Sequence, residues 1–157
     1  MNNIRIGTGI DIHRFVNNRK FILGGIEIPY EKGLLGHSDA DALLHALCDA
    51  LLGAAGIDDI GHQFPDTDMQ FKDISSLNLL EKTMSLLKSK FYKVINVDCT
   101  IVLQSPKINQ YILGMKKNIS AILNTDNISI KATTPENMGF IGNGEGIYCL
   151  AAVLIDK

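Results

Sequence analysis

Cysteines are few in this chain, and clusters of basic residues are absent. The three cysteines are an odd number without Cys-x-x-Cys spacing, which argues against a disulfide framework and favours reduced thiols in a reducing compartment. The formal net charge is −2 at pH 7, and no block of lysine or arginine interrupts the sequence. We therefore expect neither a nucleic acid nor a membrane surface as a partner.

Long apolar runs and targeting signals are also missing. No stretch reaches the length of a membrane span, and residues 4–13 already follow a strand pattern where a signal peptide would lie. We expect a cytoplasmic protein, or a plastid protein if a transit peptide has been removed. What is present is ordinary for a folded domain: 157 residues, 46% of them hydrophobic and 20% charged. Residues 1–157 are therefore expected to form a single domain with a substantial core.

Residues 36–53 hold the most informative pattern of the chain. Ser38 and Asp41 have the spacing of a capping box, and Gly53 stands where a helix favours a C-terminal glycine. Alanine and leucine, both strong helix formers, fill most of the interval, which has no proline and no β-branched residue. The sequence therefore predicts a helix that begins at Ser38 and ends at Gly53.

Three polar residues of this helix lie one turn apart. Asp41, His45 and Asp49 share one face because they recur at i, i+4 and i+8. If His45 binds a metal ion, the two aspartates are placed to orient its second ring nitrogen. The alternative is a solvated face with one satisfied histidine, and partners elsewhere in the chain have to decide between the two.

The first strand supplies candidate partners for His45. Residues 4–13 alternate, with isoleucines on one face and with glycines, Asp11 and His13 on the other. Asp11 and His13 are two residues apart in a strand, so both side chains point the same way. Together with His45 they make three protein ligands, a set that leaves one position of a tetrahedral zinc ion open for catalysis. A chance grouping of surface polar residues is the alternative to this metal site.

The remaining pattern predicts an α/β fold of the α+β type. A glycine hairpin is predicted at 21–28, strands at 94–103, 128–133 and 147–155, and helices at 75–90 and 108–123. Loops are expected at 29–35, 54–68 and 133–145. Because strands and helices intermix, we expect a two-layer sandwich in which the helices pack on one face of a mixed β-sheet.

Several sequence blocks in a fixed order point to one enzyme family. The chain resembles the 2-C-methyl-D-erythritol 2,4-cyclodiphosphate synthases, enzymes of the non-mevalonate isoprenoid pathway, over essentially its whole length. The resemblance rests on the blocks 9–15 (GIDIHRF), 29–39 (PYEKGLLGHSD), 45–53 (HALCDALLG), 59–61 (DIG), 64–68 (FPDTD) and 131–136 (KATTPE).

The resemblance implies two metal ions in each active site. Asp11, His13 and His45 match the zinc ligands of the family, with one zinc ion per subunit. Glu136 matches a ligand of a second divalent ion, magnesium or manganese, between the two phosphates of the substrate.

The resemblance also implies catalytic and substrate-binding residues. His37 and Thr134 match the pair that stabilises the transition state. The residues that match the surroundings of the methylerythritol phosphate are Ser38, Asp59, Ile60, Gly61, Phe64, Pro65, Asp66, Thr67 and Asp68. Those that match the cytidine nucleotide pocket are Leu103, Gln104, Ser105, Pro106, Lys107, Ile108, Asn109, Ala132, Thr133 and Thr134. The substrate-binding set further includes Asp11, His13, His37, Pro135, Glu136 and Phe140.

The implied activity is a lyase reaction that needs no nucleophile from the enzyme. The 2-phosphate of 4-diphosphocytidyl-2-C-methyl-D-erythritol 2-phosphate attacks its own β-phosphate and gives 2-C-methyl-D-erythritol 2,4-cyclodiphosphate and CMP. Two metal ions would offset the repulsion between the phosphates. The residues alone leave two other classes open: a zinc-dependent phosphoesterase that gives a linear product, and a binding module whose metal is structural.

A homotrimer with active sites between neighbouring subunits is also implied. The glycine face of the first strand, which carries Gly7 and Gly9, has room for another backbone, so we expect the trimer to use it. On the trimer axis, close to Phe140, Asn143 replaces an arginine that can bind isoprenoid diphosphates in the family. Asparagine offers only a neutral amide, so we expect such diphosphates to bind this chain poorly.

Overall fold

A five-stranded mixed sheet forms the centre of the fold. The computed structural model describes residues 3–65, 67–69 and 74–157. Its strands are β1 (Arg5–Asn17), β2 (Phe21–Leu23), β3 (Ile26–Ile28), β4 (Lys32–Leu34), β5 (Lys93–Val102), β6 (Ile128–Thr133) and β7 (Gly146–Asp156). The sheet has the order β4–β1–β7–β5–β6; β5 and β6 run parallel, and the other neighbours run antiparallel. Strands β2 and β3 form the predicted hairpin.

Helices cover one face of this sheet, which confirms the predicted α+β sandwich. They are α1 (Ala42–Ala55), α2 (Ile60–Gln63), α3 (Ser76–Ser89), α4 (Ile112–Leu123) and α5 (Gly139–Gly142). Helix α1 packs against β1 and β7 and also contacts α3. In β5 the alternate residues Val97, Cys99 and Ile101 are buried, as expected for a strand with one face against a helical layer. Among the described residues, no helix has both the length and the apolar character that a membrane crossing requires.

Helix α1 begins and ends about one turn later than the sequence predicts. Its N-cap is Asp41, whose Oδ1 accepts the N–H of Leu44 at 3.1 Å. Its C-terminal left-handed residue is Gly56, with φ +66°, so Gly53 lies inside the helix. Ser38 caps a tighter turn, in which its hydroxyl accepts the N–H of Ala40. A shift of one turn preserves the helix face, which is why the spacing pattern could not exclude it.

Short regular elements lie inside the three predicted loops. Strand β4 falls in 29–35 and pairs with β1, helix α2 falls in 54–68, and helix α5 falls in 133–145. Each has only three or four residues, which is too short to leave a periodic pattern in the sequence. The predicted helix at 108–123 begins with a 3₁₀ turn at Asn109–Tyr111 before α4 starts.

The glycine face of β1 is covered by the chain's own α1, so the prediction that it contacts another subunit is wrong. At Gly9 an added Cβ would stand 2.1 Å from the carbonyl oxygen of Ala46. The strand and helix backbones therefore touch, which leaves room for glycine alone. The exposed face of β1 is the opposite one, where the exposed fractions of Ile6, Ile10 and Ile12 are 71%, 53% and 52%.

A methyl group at this contact is expected to destabilise the fold. Gly9→Ala should lower the free energy of unfolding by about 3 kcal/mol, because strand and helix have to move apart. The matched control is Gly53→Ala, at an exposed helical position where an added Cβ meets nothing within 4 Å. It should raise the free energy of unfolding by about 0.5–1 kcal/mol through helix propensity. Urea unfolding of both variants measures the difference, and equal stabilities would contradict the close backbone contact.

Candidate metal centre and substrate clefts

Asp11 and His13 of β1 meet His45 of α1 at one point. The Oδ2 of Asp11 lies 2.9 Å from Nε2 of His13 and 3.2 Å from Nδ1 of His45. One potential ligand atom from each residue lies within 4.8 Å of the other two. Two imidazole nitrogens and a carboxylate oxygen form a donor set that suits zinc with an open coordination position. The structure therefore brings together the three residues that the sequence singled out; this group is called the metal cluster.

The charges in the metal cluster favour a bound cation. Partial burial acts to raise the pKa of Asp11, but the hydrogen bonds and charges of His13 and His45 outweigh it and lower this pKa to about 2. Burial likewise acts to lower the pKa of His13, and the hydrogen bond with Asp11 overrides it and raises this pKa. The carboxylate is thus ionised and draws positive charge toward it, as a metal ligand must.

The backbone fixes the orientation of the His13 ring. Its Nδ1 lies 2.6 Å from the carbonyl oxygen of Leu35. A carbonyl oxygen only accepts, so Nδ1 carries the donated proton and Nε2 is the nitrogen turned toward Asp11. Histidines that bind metals are commonly held in this way by a carbonyl or a carboxylate.

Two serine hydroxyls contact His45, in place of the aspartates that the sequence suggested. Its Nε2 lies 3.2 Å from the Oγ of Ser38 and 3.0 Å from the Oγ of Ser76. Ser76 is fully buried and is the first residue of α3. The sequence marked it only as part of a helix start, because its contact with α1 depends on tertiary packing between residues 31 positions apart.

The two aspartates of α1 bind backbone groups instead. Asp41 is fully buried and accepts the N–H groups of Gly24 at 3.0 Å and Gly25 at 2.7 Å, which ties the hairpin to the start of α1. This burial raises the pKa of Asp41. Asp49 accepts the N–H of Ile60 at 2.8 Å. The prediction that these residues orient His45 is therefore wrong, and Asp49 positions the start of α2 instead.

A first cleft, with a volume of about 230 Å³, opens beside the metal cluster. Its lining consists of His13, Gly36, His37, Ser38, His45, Ile60, Gly61, Phe64, Ile74 and Leu79. Arg19 holds the loop that carries His37, since its guanidinium donates to the carbonyl oxygens of Gly36 at 2.7 Å and Ser38 at 2.8 Å. Nothing in the sequence had singled out Arg19, because its partners are backbone atoms of a distant loop.

Only part of the predicted methylerythritol phosphate set lines this cleft. Asp59 caps α2, where it accepts the N–H of His62 at 2.9 Å and pairs with its ring Nδ1 at 2.8 Å. The next turn is closed by the N–H of Asp68, which donates to the carbonyl oxygen of Pro65 at 2.9 Å. Asp66 lies outside the described residues. The lining contains Ser38, Ile60, Gly61 and Phe64 but not Asp59, Pro65, Thr67 or Asp68.

A second cleft, of about 260 Å³, lies beyond the carboxyl ends of the parallel strands β5 and β6. Its lining consists of Leu103, Gln104, Pro106, Lys107, Ile108, Asn109, Ala132, Thr133 and Thr134. These are the residues predicted for the nucleotide, apart from Ser105. The carboxyl ends of parallel strands are where α/β proteins commonly bind nucleotides.

The loop after β6 carries Glu136 in a strained backbone conformation. Glu136 has a φ of +54°, which costs on the order of 1–3 kcal/mol for such a residue, and Asn137, a residue type that tolerates this region, has a φ of +62°. The hydroxyl of Thr134 donates to Oε1 of Glu136, and the N–H of Asn137 donates to Oε1 of Gln104 at 3.1 Å. These bonds tie the strained loop to the rim of the second cleft. Phe140, in α5, is 49% exposed and lines neither cleft.

The two clefts lie at the same end of the sheet but three strands apart. His13, in the metal cluster, pairs with Ile147 near the start of β7. The next residue of β7, Tyr148, pairs with Val102 at the end of β5, and Val102 also pairs with Thr133 at the end of β6. Strands β7 and β5 separate β1 from β6. With strand spacings of about 4.8 Å, β1 is roughly 10 Å from β5 and roughly 14 Å from β6 across the sheet, and the second cleft lies beyond the ends of both strands.

Comparison with known proteins identifies the family. The profile of the YgbB family matches residues 4–156. The 2-C-methyl-D-erythritol 2,4-cyclodiphosphate synthase of Clostridium botulinum strain Okra is 55% identical and aligns with 98% of this chain and 100% of its own length. The chain belongs to this family. The family and the enzyme class expected from the sequence, a cyclising lyase of the non-mevalonate pathway, are therefore confirmed.

Solved structures of the family share the fold. The bifunctional IspDF of Campylobacter jejuni superposes with a TM-score of 0.94 at 42% identity, over 99% of this chain. This chain spans only 43% of that protein. IspF of Plasmodium falciparum in complex with CDP superposes with a TM-score of 0.85 at 37% identity, over 99% of this chain and 97% of its own.

Proposed function

We propose that this chain cyclises 4-diphosphocytidyl-2-C-methyl-D-erythritol 2-phosphate to 2-C-methyl-D-erythritol 2,4-cyclodiphosphate and releases CMP. The observation that carries the proposal is the pair of clefts at one end of the sheet, with the metal cluster in the first. The second cleft has the position and the lining expected for a cytidine nucleotide, and a related structure holds CDP. Because relatives of this chain include clostridial proteins, we further propose a cytoplasmic location.

The rate of this reaction depends mainly on how the protein positions the two phosphates of the substrate. An oxygen of the 2-phosphate forms a new bond to the β-phosphorus, the bond from that phosphorus to the bridging oxygen breaks, and CMP takes the electron pair. Holding the two phosphates in contact supplies several kcal/mol of the barrier, up to about 7–11 kcal/mol for well-oriented intramolecular reactions. His37, on the loop held by Arg19, lines the first cleft and can donate a hydrogen bond to a phosphoryl oxygen. Thr134, on the rim of the second cleft, can do so when its hydroxyl turns from Glu136 to the substrate.

The reaction also needs positive charge beside the phosphates, and a chain with a net charge of −2 has to bind cations to supply it. Asp11, His13 and His45 would hold a zinc ion, since their donor atoms converge. Glu136 would hold a magnesium or manganese ion, because such ions are commonly bound by one or two carboxylates together with substrate phosphates. When bound, both ions neutralise phosphate charge and act as Lewis acids toward the leaving oxygen.

The separation of these groups within one subunit supports the homotrimer. The metal cluster and the rim that carries Thr134 and Glu136 are roughly 14 Å apart across the sheet of a single chain. In a ring of copies, the first cleft of one subunit can face the second cleft of its neighbour. The exposed isoleucine face of β1 (Ile6, Ile10 and Ile12) is an apolar surface suited to that contact.

Product analysis tests this function. The chain is incubated with the substrate and magnesium, and phosphorus NMR follows the products. Equal amounts of the cyclic diphosphate and CMP are expected. A linear phosphate product would instead indicate the zinc-dependent phosphoesterase. Nucleotide binding without turnover, unchanged after zinc removal, would indicate a binding module with a structural metal.

Asn143 is expected to weaken the binding of isoprenoid diphosphates on the trimer axis. It follows α5, and its Nδ2 donates to Oε1 of Glu145 at 3.1 Å, so a carboxylate stands beside it. Three neutral amides make a weak anion site, whereas three arginines offer charged, planar forks for phosphate. Calorimetry should show weak binding of farnesyl diphosphate, tightened at least tenfold by Asn143→Arg, with cyclisation unchanged. Equally tight binding to both proteins would contradict a role for this position.

A further inference from the structure

A chain of hydrogen bonds ends at the His45 ring on the side away from the metal cluster. Asp39 accepts the hydroxyl proton of Ser76 at Oδ1, and its Oδ2 accepts the backbone N–H of Ser76 at 2.8 Å. The Oγ of Ser76 in turn lies 3.0 Å from Nε2 of His45. Neither Asp39 nor Ser76 belongs to the metal cluster or to the lining of either cleft.

The direction of these bonds follows from a count of protons. An ionised carboxylate only accepts hydrogen bonds, and a position beside the N-terminus of the fourteen-residue helix α3 favours its negative charge. Ser76 has one hydroxyl proton and donates it to Asp39, so its Oγ has only lone pairs left for His45. A contact of 3.0 Å is then favourable only if Nε2 of His45 carries the proton.

We propose that Asp39 and Ser76 are positioning residues that hold the proton of His45 on Nε2 and so direct the lone pair of Nδ1 toward the metal cluster. This inference rests on the zinc site proposed above. On the other side of the ring, Nδ1 faces the metal cluster, with Oδ2 of Asp11 at 3.2 Å, so Nδ1 is the nitrogen that a zinc ion bound there would meet. A neutral imidazole has only one proton. If that proton sat on Nδ1, the nitrogen would have no lone pair for a metal ion.

Two substitutions act on this chain of bonds in different ways. Ser76→Ala removes the acceptor and leaves Nε2 with the hydroxyl of Ser38 alone. Asp39→Asn reverses the direction in which the hydroxyl of Ser76 donates its hydrogen bond. The backbone N–H of Ser76 reaches Oδ2 at 2.8 Å, whereas that of Asp41 reaches Oδ1 at 3.3 Å, so the amide oxygen is expected at the former Oδ2 position and the amide N–H₂ beside the hydroxyl of Ser76. The hydroxyl then donates to Nε2 and favours the proton on Nδ1.

Zinc affinity is the readout, measured on the full-length holoenzyme by competition with a chelator. Loss of a hydrogen-bond partner of a ligand typically weakens metal binding by about 10–100-fold, and Ser76→Ala should fall in that range. Asp39→Asn should bind zinc more weakly still, because it opposes the required tautomer. The expected order of zinc affinity is therefore unsubstituted protein, then Ser76→Ala, then Asp39→Asn, and any other order would overturn the proposal.

The start of α3 needs its own control. Ser75→Ala removes the N-cap hydroxyl that accepts the N–H of Leu77 at 3.3 Å, so it disturbs the same helix end without touching His45. It should lower the melting temperature and leave zinc affinity unchanged. If Ser75→Ala weakened zinc binding as much as Ser76→Ala does, the effect would come from a loss of helix structure, and the proposal would be overturned.

Nitrogen-15 NMR of the zinc-stripped full chain observes the proton directly. In the unsubstituted protein Nε2 of His45 should be protonated, and in Asp39→Asn it should lose its proton to Nδ1. An unprotonated Nε2 in the unsubstituted protein would overturn the proposal even if both variants failed to fold. The proposed zinc site fails separately, if the unsubstituted chain binds no zinc at all.

Discussion

Replacement of His45 by alanine is expected to leave a folded protein with little zinc and almost no turnover. The side chain supplies one of three donor atoms that converge within 4.8 Å, and the two that remain, on Asp11 and His13, cannot define a tetrahedral site alone. Loss of a ligand should exceed the roughly 10–100-fold effect of losing a partner of a ligand. The fold should survive, because His45 contributes to the metal cluster and not to the buried apolar core around α1.

The matched control for this variant is His62→Ala. The side chain of His62 is 73% exposed, pairs with Asp59, and lies outside the metal cluster. It should retain one zinc ion per subunit in a metal analysis, whereas His45→Ala should retain little. Circular dichroism checks that both variants are folded. Stoichiometric zinc in folded His45→Ala would show that the ligand assignment is wrong.

The parts of the site that the sequence predicts are those set by local geometry. Asp11 and His13 lie two residues apart in a strand, and alternation alone puts them on one face. His45 joins them because its helix packs on that same face of β1, which the glycines at positions 7 and 9 permit. Periodicity and residue type therefore suffice to single out all three residues.

The parts that the sequence misses depend on pairings across the fold. Ser76 and Arg19 bind partners 31 and 17 or more positions away, and no local pattern marks them. Asp41 was expected to point toward His45, but burial of its carboxylate under the Gly24–Gly25 turn makes it a cap. The sequence pattern identified both faces of β1 but not which of them α1 would cover.

A mixture of two inactive variants is expected to regain activity after subunit exchange. Asp11→Ala lacks a ligand of the metal cluster, and Glu136→Ala lacks the carboxylate beside the second cleft, so each homotrimer should be inactive. If each site combines the first cleft of one subunit with the second cleft of its neighbour, some mixed sites receive both intact groups. Such a site needs its first cleft from the Glu136→Ala chain and its second cleft from the Asp11→Ala chain.

The size of the recovery follows from the geometry of the ring. With equal amounts of both chains and random exchange, each of the two conditions holds for half of the sites, so about a quarter of the sites are intact.

Light scattering should give the mass of a trimer before and after mixing, and exchange can be followed with one chain labelled. A mixture of Asp11→Ala and His45→Ala is the matched control, because both substitutions fall in the metal cluster and no intact site can form. Proven exchange without recovery in the first mixture, or equal recovery in the control, would contradict a site shared between subunits. Recovery to about a quarter of the unsubstituted rate in the first mixture alone would place Asp11 and Glu136 of one active site on different chains.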